Sequence, residues 1–497
     1  MKRAYLYPIM LPAVIGLGQG CACAEEEKDN EKRPNILFLL TDDQNFQTIH
    51  ALGNREIDTP NMDCLVKNGT VFTETHVMGG LNGAISQPSR AMLLTGRGLM
   101  DVHRNGSYIP ESEKTFPEWF REAGYITFGT GKWHSDKASF NRSFCCGENI
   151  FFGGMHNPGK DGKLGHRRPE LTHYDSTGVY SNTFRPKMSD NAFSSELFAD
   201  AAIEFISSRQ DGDAPFLAYV AFTSPHDPRN VLPDYGKHYA GSEISLPDNF
   251  LPQHPFDNGD LYERDEKLLS LPRNPEEVKQ ERAYYYSMVN EVDVQIGRVI
   301  EALKKTGEYD NTIIVFAADN GLAVGAHGLL GKQNLYEESV KVPLVICGPG
   351  LPKHQKRDSY NYLYDIFPTL CDLTGLDIPK TVKGVSLLPA LKSNKVRTRD
   401  NVLLTYMNLQ RAIKKDGYKL ILYNVNGERY PQLFNLKKDP YEKTNLYGDP
   451  KYKEIQDKLT ELLYSEMIAA GDFCDPAKPD WGFPVKITAD DIRVVKP

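Results

Sequence analysis

Two short polar pairs, Asp42-Asp43 and Asp319-Asn320, each follow an apolar run. Carboxylate and amide oxygens are hard donors that suit calcium or magnesium, so two such pairs brought together would make a cation site. Taken singly, each pair equally describes a helix cap or a turn. Between them in sequence lies Ser86, with Pro88 two residues on and Arg90 four residues on. Proline in a first turn predicts a helix starting just after Ser86. The serine then sits at the positive end of the helix dipole, where free N–H groups favour an anion. Arg90 lies one turn further along the same face. An ordinary capped helix would look the same. Lys132, His134, His226 and Lys332 complete the set. Two lysines can clamp an oxyanion, and two imidazoles can move a proton. A lone lysine is usually a solvated surface charge. A lone histidine is more often structural than catalytic, so placement has to decide.

The elements around these residues repeat one design. Continuous apolar runs at 35–40, 125–128, 216–222 and 312–316 read as strands buried on both faces of a parallel sheet. Each delivers polar residues at its C-terminal end: Thr41-Asp42-Asp43, Gly129-Thr130-Gly131-Lys132, Ser224-Pro225-His226 and Asp319-Asn320-Gly321. Open α/β sheets place their ligand sites there. Helical spacing appears between them. One helix is predicted after Thr59-Pro60 with a stop at Gly69, one around 197–206, and a long one through 289–303 ending near Gly307. The fold expected is α/β, with a large, mostly parallel sheet and helices on both faces. Residues 140–192 and 227–275 lack periodicity and are expected to form substrate-binding walls or surface loops. After about residue 385 short strands at 402–405, 411–413 and 418–422 precede a helix near 451–469. They suggest a smaller α+β unit with an antiparallel sheet. The organisation expected is an export signal over 1–24, a catalytic domain over 25–384 and a C-terminal subdomain over 385–497.

Composition narrows the partners. The chain has 497 residues and a formal net charge of −8, with 40% hydrophobic and 25% charged residues. An acidic chain of this kind lacks the basic face a general nucleic-acid binder needs. A few converging cations can still hold a small anion. Lys2 and Arg3, the apolar stretch 4–17 and Ala22-Cys23-Ala24 read as a cleavable export signal, placing the protein in a bacterial periplasm or on the cell surface. A lipid anchor on Cys21 is the less favoured variant. No later run reads as a membrane span. The remaining cysteines, Cys64, Cys145, Cys146, Cys347, Cys371 and Cys474, form no CxxC pair, which argues against a cysteine zinc site.

The stretch Ser86-Gln87-Pro88-Ser89-Arg90, continued by Leu94-Thr95-Gly96-Arg97, resembles the motif of the formylglycine-dependent sulfatases, a branch of the alkaline phosphatase superfamily. Other family elements follow in order: Thr41-Asp42-Asp43-Gln44, Gly131-Lys132-Trp133-His134, Ser224-Pro225-His226-Asp227-Pro228, Asp319-Asn320-Gly321 and Gly331-Lys332. The resemblance runs on to the Leu433–Pro440 stretch near the C-terminus. The chain departs from the commonest form in carrying Ser rather than Cys at position 86. The resemblance implies an alkaline phosphatase-like fold and hydrolysis of sulfate esters. It implies that a radical maturation enzyme oxidises Ser86 to formylglycine (3-oxoalanine), whose hydrate attacks sulfur and later expels sulfate. It implies one calcium ion held by Asp42, Asp43, Asp319, Asn320 and the modified Ser86. Arg90 would orient the hydrated aldehyde, and Lys132 and Lys332 would bind sulfate oxygens. His226 would protonate the leaving oxygen, alone or together with Lys332, and His134 would break down the sulfated intermediate; the two histidine roles are exchangeable at this level.

Export and the serine form fit an enzyme acting on sulfated carbohydrates, such as glycosaminoglycans or mucin chains. His166-Arg167-Arg168, His103-Arg104 and Arg229 are candidates for reading sugar hydroxyls or a carboxylate, with surface charge as the plain alternative. Two other functions compete. One is a phosphonate or phosphate ester hydrolase of the same superfamily, and the other is an inactive sulfated-glycan binder.

Overall fold

The computed structural model describes residues 33–157, 165–167, 169–174, 180–183, 192–210, 212–229, 232–483 and 485–487. The export-signal region, Cys21 and Arg168 therefore lie outside the described residues.

The main sheet has ten strands. In chain order they are β1 (Asn35–Thr41), β2 (Thr70–Phe72), β3 (Ile126–Lys132), β4 (Cys146–Phe151), β5 (Leu171–Tyr174), β6 (Tyr180–Thr183), β7 (Phe216–Ala221), β8 (Thr312–Ala318), β9 (Leu344–Cys347) and β10 (Gln355–Arg357). Their order across the sheet is β10-β2-β9-β8-β1-β7-β3-β4-β5-β6. The five strands from β8 to β4 are mutually parallel. Only β5 and β9 run against the rest. The sheet is thus mixed at its edges and parallel where the polar strand ends gather. β4, β5 and β6 come from the 140–192 segment, where sequence periodicity shows no strand. The four-residue β5 and β6 are too short to declare a period, and β4, Cys146-Gly147-Glu148-Asn149-Ile150-Phe151, mixes polar and apolar residues without alternation.

Alternation along β1 shows how the sheet is covered. Ile36, Phe38 and Leu40 join one apolar core with Met92, Leu93 and Leu94 of α2 (Ser86–Thr95). Leu37 and Leu39 join a second core on the opposite face. That core is built from α1 (Pro60–Asn68), α3 (Ser194–Ser207) and α4 (Pro275–Lys305). Successive strand residues point to opposite faces, so a strand apolar at every position must be sandwiched.

A second sheet follows the predicted C-terminal strands: β11 (Asn401–Tyr406), β12 (Gln410–Lys415), β13 (Tyr418–Val425) and β14 (Glu428–Asn435), paired antiparallel in sequence order. Helix α5 (Lys453–Ala469) buries Leu459, Leu463 and Met467. The edge of this sheet is completed by Gly79–Gly80, which pairs parallel with β11. The described residues from Arg33 onward fall in one compact unit. A buried charge cluster also ties the two regions. Lys414 Nζ lies 2.5 Å from Glu74 and 2.6 Å from Glu337, and Lys419 Nζ reaches Glu337 and Glu442 at 3.1 and 2.9 Å. Among the described residues no helix is long and apolar enough to cross a membrane.

Candidate active site

Strand order brings the candidate residues together. β8, β1, β7 and β3 are consecutive neighbours in one direction, so their C-terminal ends form a single edge. Thr41 is in register with Ala318, which sets the residues that follow, Asp42 and Asp319, side by side. Backbone bonds from Asp319 N to Thr41 O and from Asp42 N to Ser224 O, 3.1 and 3.2 Å, extend the ladder into the loops. Lys132 ends β3, and the bulge just before it needs glycine. Gly131 has φ +86°, and a Cβ there would fall 1.9 Å from Ala221 O.

Helix α2 points its N-terminus at this edge, with Ser86 as its first residue. Ser86 Oγ lies 3.3 Å from Asp42 Oδ1 and 3.4 Å from Asp43 Oδ1. It accepts hydrogen bonds from Asn320 Nδ2 and Lys332 Nζ, both at 3.0 Å. Lys332 Nζ also meets Asp43 Oδ1, and Lys132 Nζ meets Asp42 Oδ2, each at 2.5 Å. Arg90 runs behind this layer. Its Nε donates to Asp319 Oδ2 at 2.7 Å and its Nη1 to the Lys132 carbonyl at 2.6 Å. Arg90 therefore holds the metal-side carboxylate and the lysine strand. Ser89 Oγ donates to Asp319 O at 2.6 Å, and Tyr285 OH donates to Asp43 O at 2.6 Å. Neither Ser89 nor Tyr285 had been assigned a role from sequence. Ser89 stood inside the quoted motif, but a long helix gave no hint of Tyr285.

Three carboxylates buried within a few ångströms must be neutralised, because an unpaired charge in an apolar interior is costly. Arg90, Lys132 and Lys332 supply three opposing charges. Burial alone would raise the Asp42 pKa, but the Lys132 ammonium and its neighbours outweigh it and hold Asp42 well below the carboxylate range. Asp319 is pushed up to about 6 by burial and by the Asp42 charge. Burial would lower His226, yet the Asp43 carboxylate raises it above the ordinary histidine value. His134 goes the other way, pulled well down by burial and by Lys132.

The donor set suits a divalent cation. It offers three carboxylates and the Asn320 amide, whose Oδ1 is buried without a hydrogen-bond partner. Hard oxygens of this kind fit calcium or magnesium. Asp42, Asp43 and His226 also present ligand atoms within 4.8 Å of one another.

The site opens into a cavity of about 480 Å³. Ser86, Lys132, His134, His226 and Lys332 line it, together with Glu263, Arg264, Asp265 and Gln333. Arg90 does not. The proposed basic sugar readers are spent elsewhere. His166 bonds Ser194 Oγ and the His226 carbonyl, Arg167 donates to Leu232 O, and Arg229 pairs with Glu281 at 3.4 Å. His103 pairs with Glu113, and Arg104 lies over the Tyr108 ring. Both aperiodic segments line the cavity, Gly154 and Met155 from 140–192 and Glu263, Arg264 and Asp265 from 227–275.

These arrangements agree with the comparisons. The sulfatase family model matches residues 34–376. The chain belongs to the sulfatase family. The enzyme is thus a sulfuric ester hydrolase. A second model, described as N-sulphoglucosamine sulphohydrolase, C-terminal, matches residues 325–468. An N-acetylglucosamine-6-O-sulfatase of Bacteroides thetaiotaomicron is 27% identical, with 89% of this chain and 88% of that one covered. A 2-O GAG sulfatase structure aligns with a TM-score of 0.68 at 23% identity, covering 89% of this sulfatase and 93% of that chain. The phosphonate monoester hydrolase of Agrobacterium radiobacter aligns with a TM-score of 0.70 at 24% identity, covering 88% and 96%. Fold likeness therefore spans both ester classes.

Proposed function

We propose that this sulfatase removes O-sulfate groups from sulfated carbohydrates of the glycosaminoglycan or mucin type, outside the cytoplasm. The observation that carries the reading is the position of Ser86 Oγ at the head of a cavity of about 480 Å³, within 3.0 Å of Lys332 Nζ and Asn320 Nδ2. That volume is in the range of small-ligand sites. The names of the relatives, an N-acetylglucosamine-6-O-sulfatase and a 2-O GAG sulfatase, support the carbohydrate class.

Ser86, converted by a maturation enzyme to formylglycine, supplies the nucleophile as a hydrated aldehyde. Asp42, Asp43, Asp319, Asn320 and the modified Ser86 would hold a divalent cation, calcium in this reading, which would supply Lewis acidity toward the sulfate oxygens. Lys132 and Lys332 clamp those oxygens. Arg90 keeps Asp319 and the Lys132 strand in place, which maintains the geometry around the hydrated aldehyde. His226 holds a proton near the leaving oxygen. His134, with its pKa pulled down by burial and by Lys132, stays neutral and would accept the proton released as sulfate leaves.

The test is sulfate and phosphate release by a Ser86→Cys form matured in a host that converts the cysteine. The substrates are sulfated mono- and disaccharides, nitrophenyl sulfate and a nitrophenyl phosphonate, with calcium present. Sulfate release from a sugar, lost in Asp319→Ala, supports the reading. Faster phosphonate than sulfate turnover by protein whose mass shows the aldehyde would replace it with the phosphonate-ester reading.

A further inference from the structure

We propose that Asp227, clamped by Arg264, is the positioning residue that fixes the tautomer and ring orientation of His226, so that Nε2 is the atom presented to the leaving oxygen. The proposal rests on the reading of His226 as proton donor. His226 Nδ1 lies 2.8 Å from the Asp227 carbonyl and 3.0 Å from Asp227 Oδ1. Both are acceptors, so Nδ1 keeps its hydrogen in the protonated and the neutral ring alike, and the proton given up is the one on Nε2 of the imidazolium, which faces the site 3.6 Å from Asp43 Oδ2. The acid is itself held. Arg264 meets both Asp227 oxygens, Nη1 at 2.5 Å and Nη2 at 3.0 Å, in the fork geometry that fixes a carboxylate plane. Arg264 also pairs with Asp265, whose Oδ2 accepts from Gln333 Nε2 at 3.0 Å, one residue from Lys332. A chain of ion pairs and hydrogen bonds thus links the two sides of the cavity mouth. Behind the ring, His166 Nε2 lies 3.0 Å from the His226 carbonyl.

In the step served, the electron pair of the breaking S–O bond goes to the leaving oxygen, which takes the proton from His226 Nε2. Asp227 stays ionised throughout, and its contribution is orientation and charge complementarity to the imidazolium. An amide at 227 keeps the shape but offers a neutral acceptor, and its NH2 group turns a donor toward Arg264 or toward Nδ1. The second orientation would force the wrong tautomer.

The experiment compares wild-type, Asp227→Asn, Asp227→Glu, Arg264→Lys and His226→Ala enzymes, all matured and all with calcium. The substrates are nitrophenyl sulfate, a good leaving group, and the sugar sulfate hydrolysed fastest in the panel above. Asp227→Asn is expected to lower kcat for the sugar sulfate about tenfold or more, with KM and the nitrophenyl rate each within about threefold of wild type. Asp227→Glu should recover part of the loss. Arg264→Lys should reproduce the selectivity in milder form, which guards against a folding defect in the first variant. Equal losses on both substrates in Asp227→Asn and Arg264→Lys, with His226→Ala still selective for the sugar sulfate, overturn the positioning role alone. A His226→Ala enzyme with equal losses removes the proton-donor reading and the proposal with it.

Discussion

Glu291 offers a quantitative test of how the loop carrying His226 is supported. It lies in α4, is fully buried, and accepts from Tyr235 OH at 2.7 Å, while its Oε2 has no hydrogen-bond partner. Burial pushes its pKa from 4.5 to about 7, with partial relief from the Tyr235 hydrogen bond and from the nearby hydroxyls of Ser195 and Ser224, which bond each other at 2.9 Å. Ser224 belongs to the segment that carries His226. An acid with a raised folded pKa keeps its proton in the native state between pH 4.5 and 7 while the unfolded chain has lost it. The native state then binds more protons, so stability falls as pH rises through that window. The contribution is complete below pH 4.5 and lost above pH 7. The shift of about 2.5 units at 1.36 kcal/mol each sets an upper bound of about 3 kcal/mol. For a chain of this size, with an unfolding entropy of about 1 kcal/mol per degree, that is roughly 3 °C in Tm. Thermal melts of wild type and Glu291→Gln from pH 4.5 to 8 measure it. The Gln variant should lose this share of the slope and gain on wild type as pH rises. Parallel pH profiles for the two proteins would refute the assignment of a neutral, buried Glu291.

Other expectations concern the site and the join between the sheets. Ser86→Ala should reduce sulfate release by about 10⁶-fold, the scale of removing a covalent nucleophile, with an unchanged circular dichroism spectrum. Chelation should abolish activity and lower Tm. Calcium at a hundredfold excess over its Kd should restore about 2.7 kcal/mol of stability, an effect absent in Asp319→Ala. Gly79→Ala should destabilise by about 1–3 kcal/mol from backbone strain, since φ is +107° and the new Cβ would sit 1.9 Å from Thr405 O; denaturant melts check this. Lys414→Met should cost about 1–3 kcal/mol, since it removes one cation from the cluster while Glu337 keeps Lys419 and the half-buried Glu74 keeps Lys341; the same melts read it.

Much of this was legible before folding. Continuous apolar runs identified the four central strands, and their polar ends located Asp42, Asp43, Lys132, His226, Asp319 and Asn320. Those residues are local: a strand end places them whatever the rest of the chain does. The spacing of Ser86, Pro88 and Arg90 likewise marked the start of α2. Strands β4 to β6 were illegible because β4 carries no continuous apolar run and β5 and β6 have four residues each, so their pairing partners and not their own pattern make them strands. The strand Gly79–Gly80 was illegible because two glycines carry no pattern, and only β11 makes them a strand.

Side-chain destinations were the least readable. His103, His166, Arg167 and Arg229 looked like substrate readers, yet they bond carbonyls, hydroxyls and acids within the protein, while Arg104 lies exposed over the Tyr108 ring. Arg264 and Asp265 stood out in no pattern, yet they line the cavity. Sequence alone determined which chemical groups the protein possesses and which of them leave a strand end, because those follow from residue type and local period. Only the tertiary structure decided which charges face the cavity and which are spent inside. That outcome depends on partners hundreds of residues away and on the rule that a buried charge takes the nearest opposite charge or dipole.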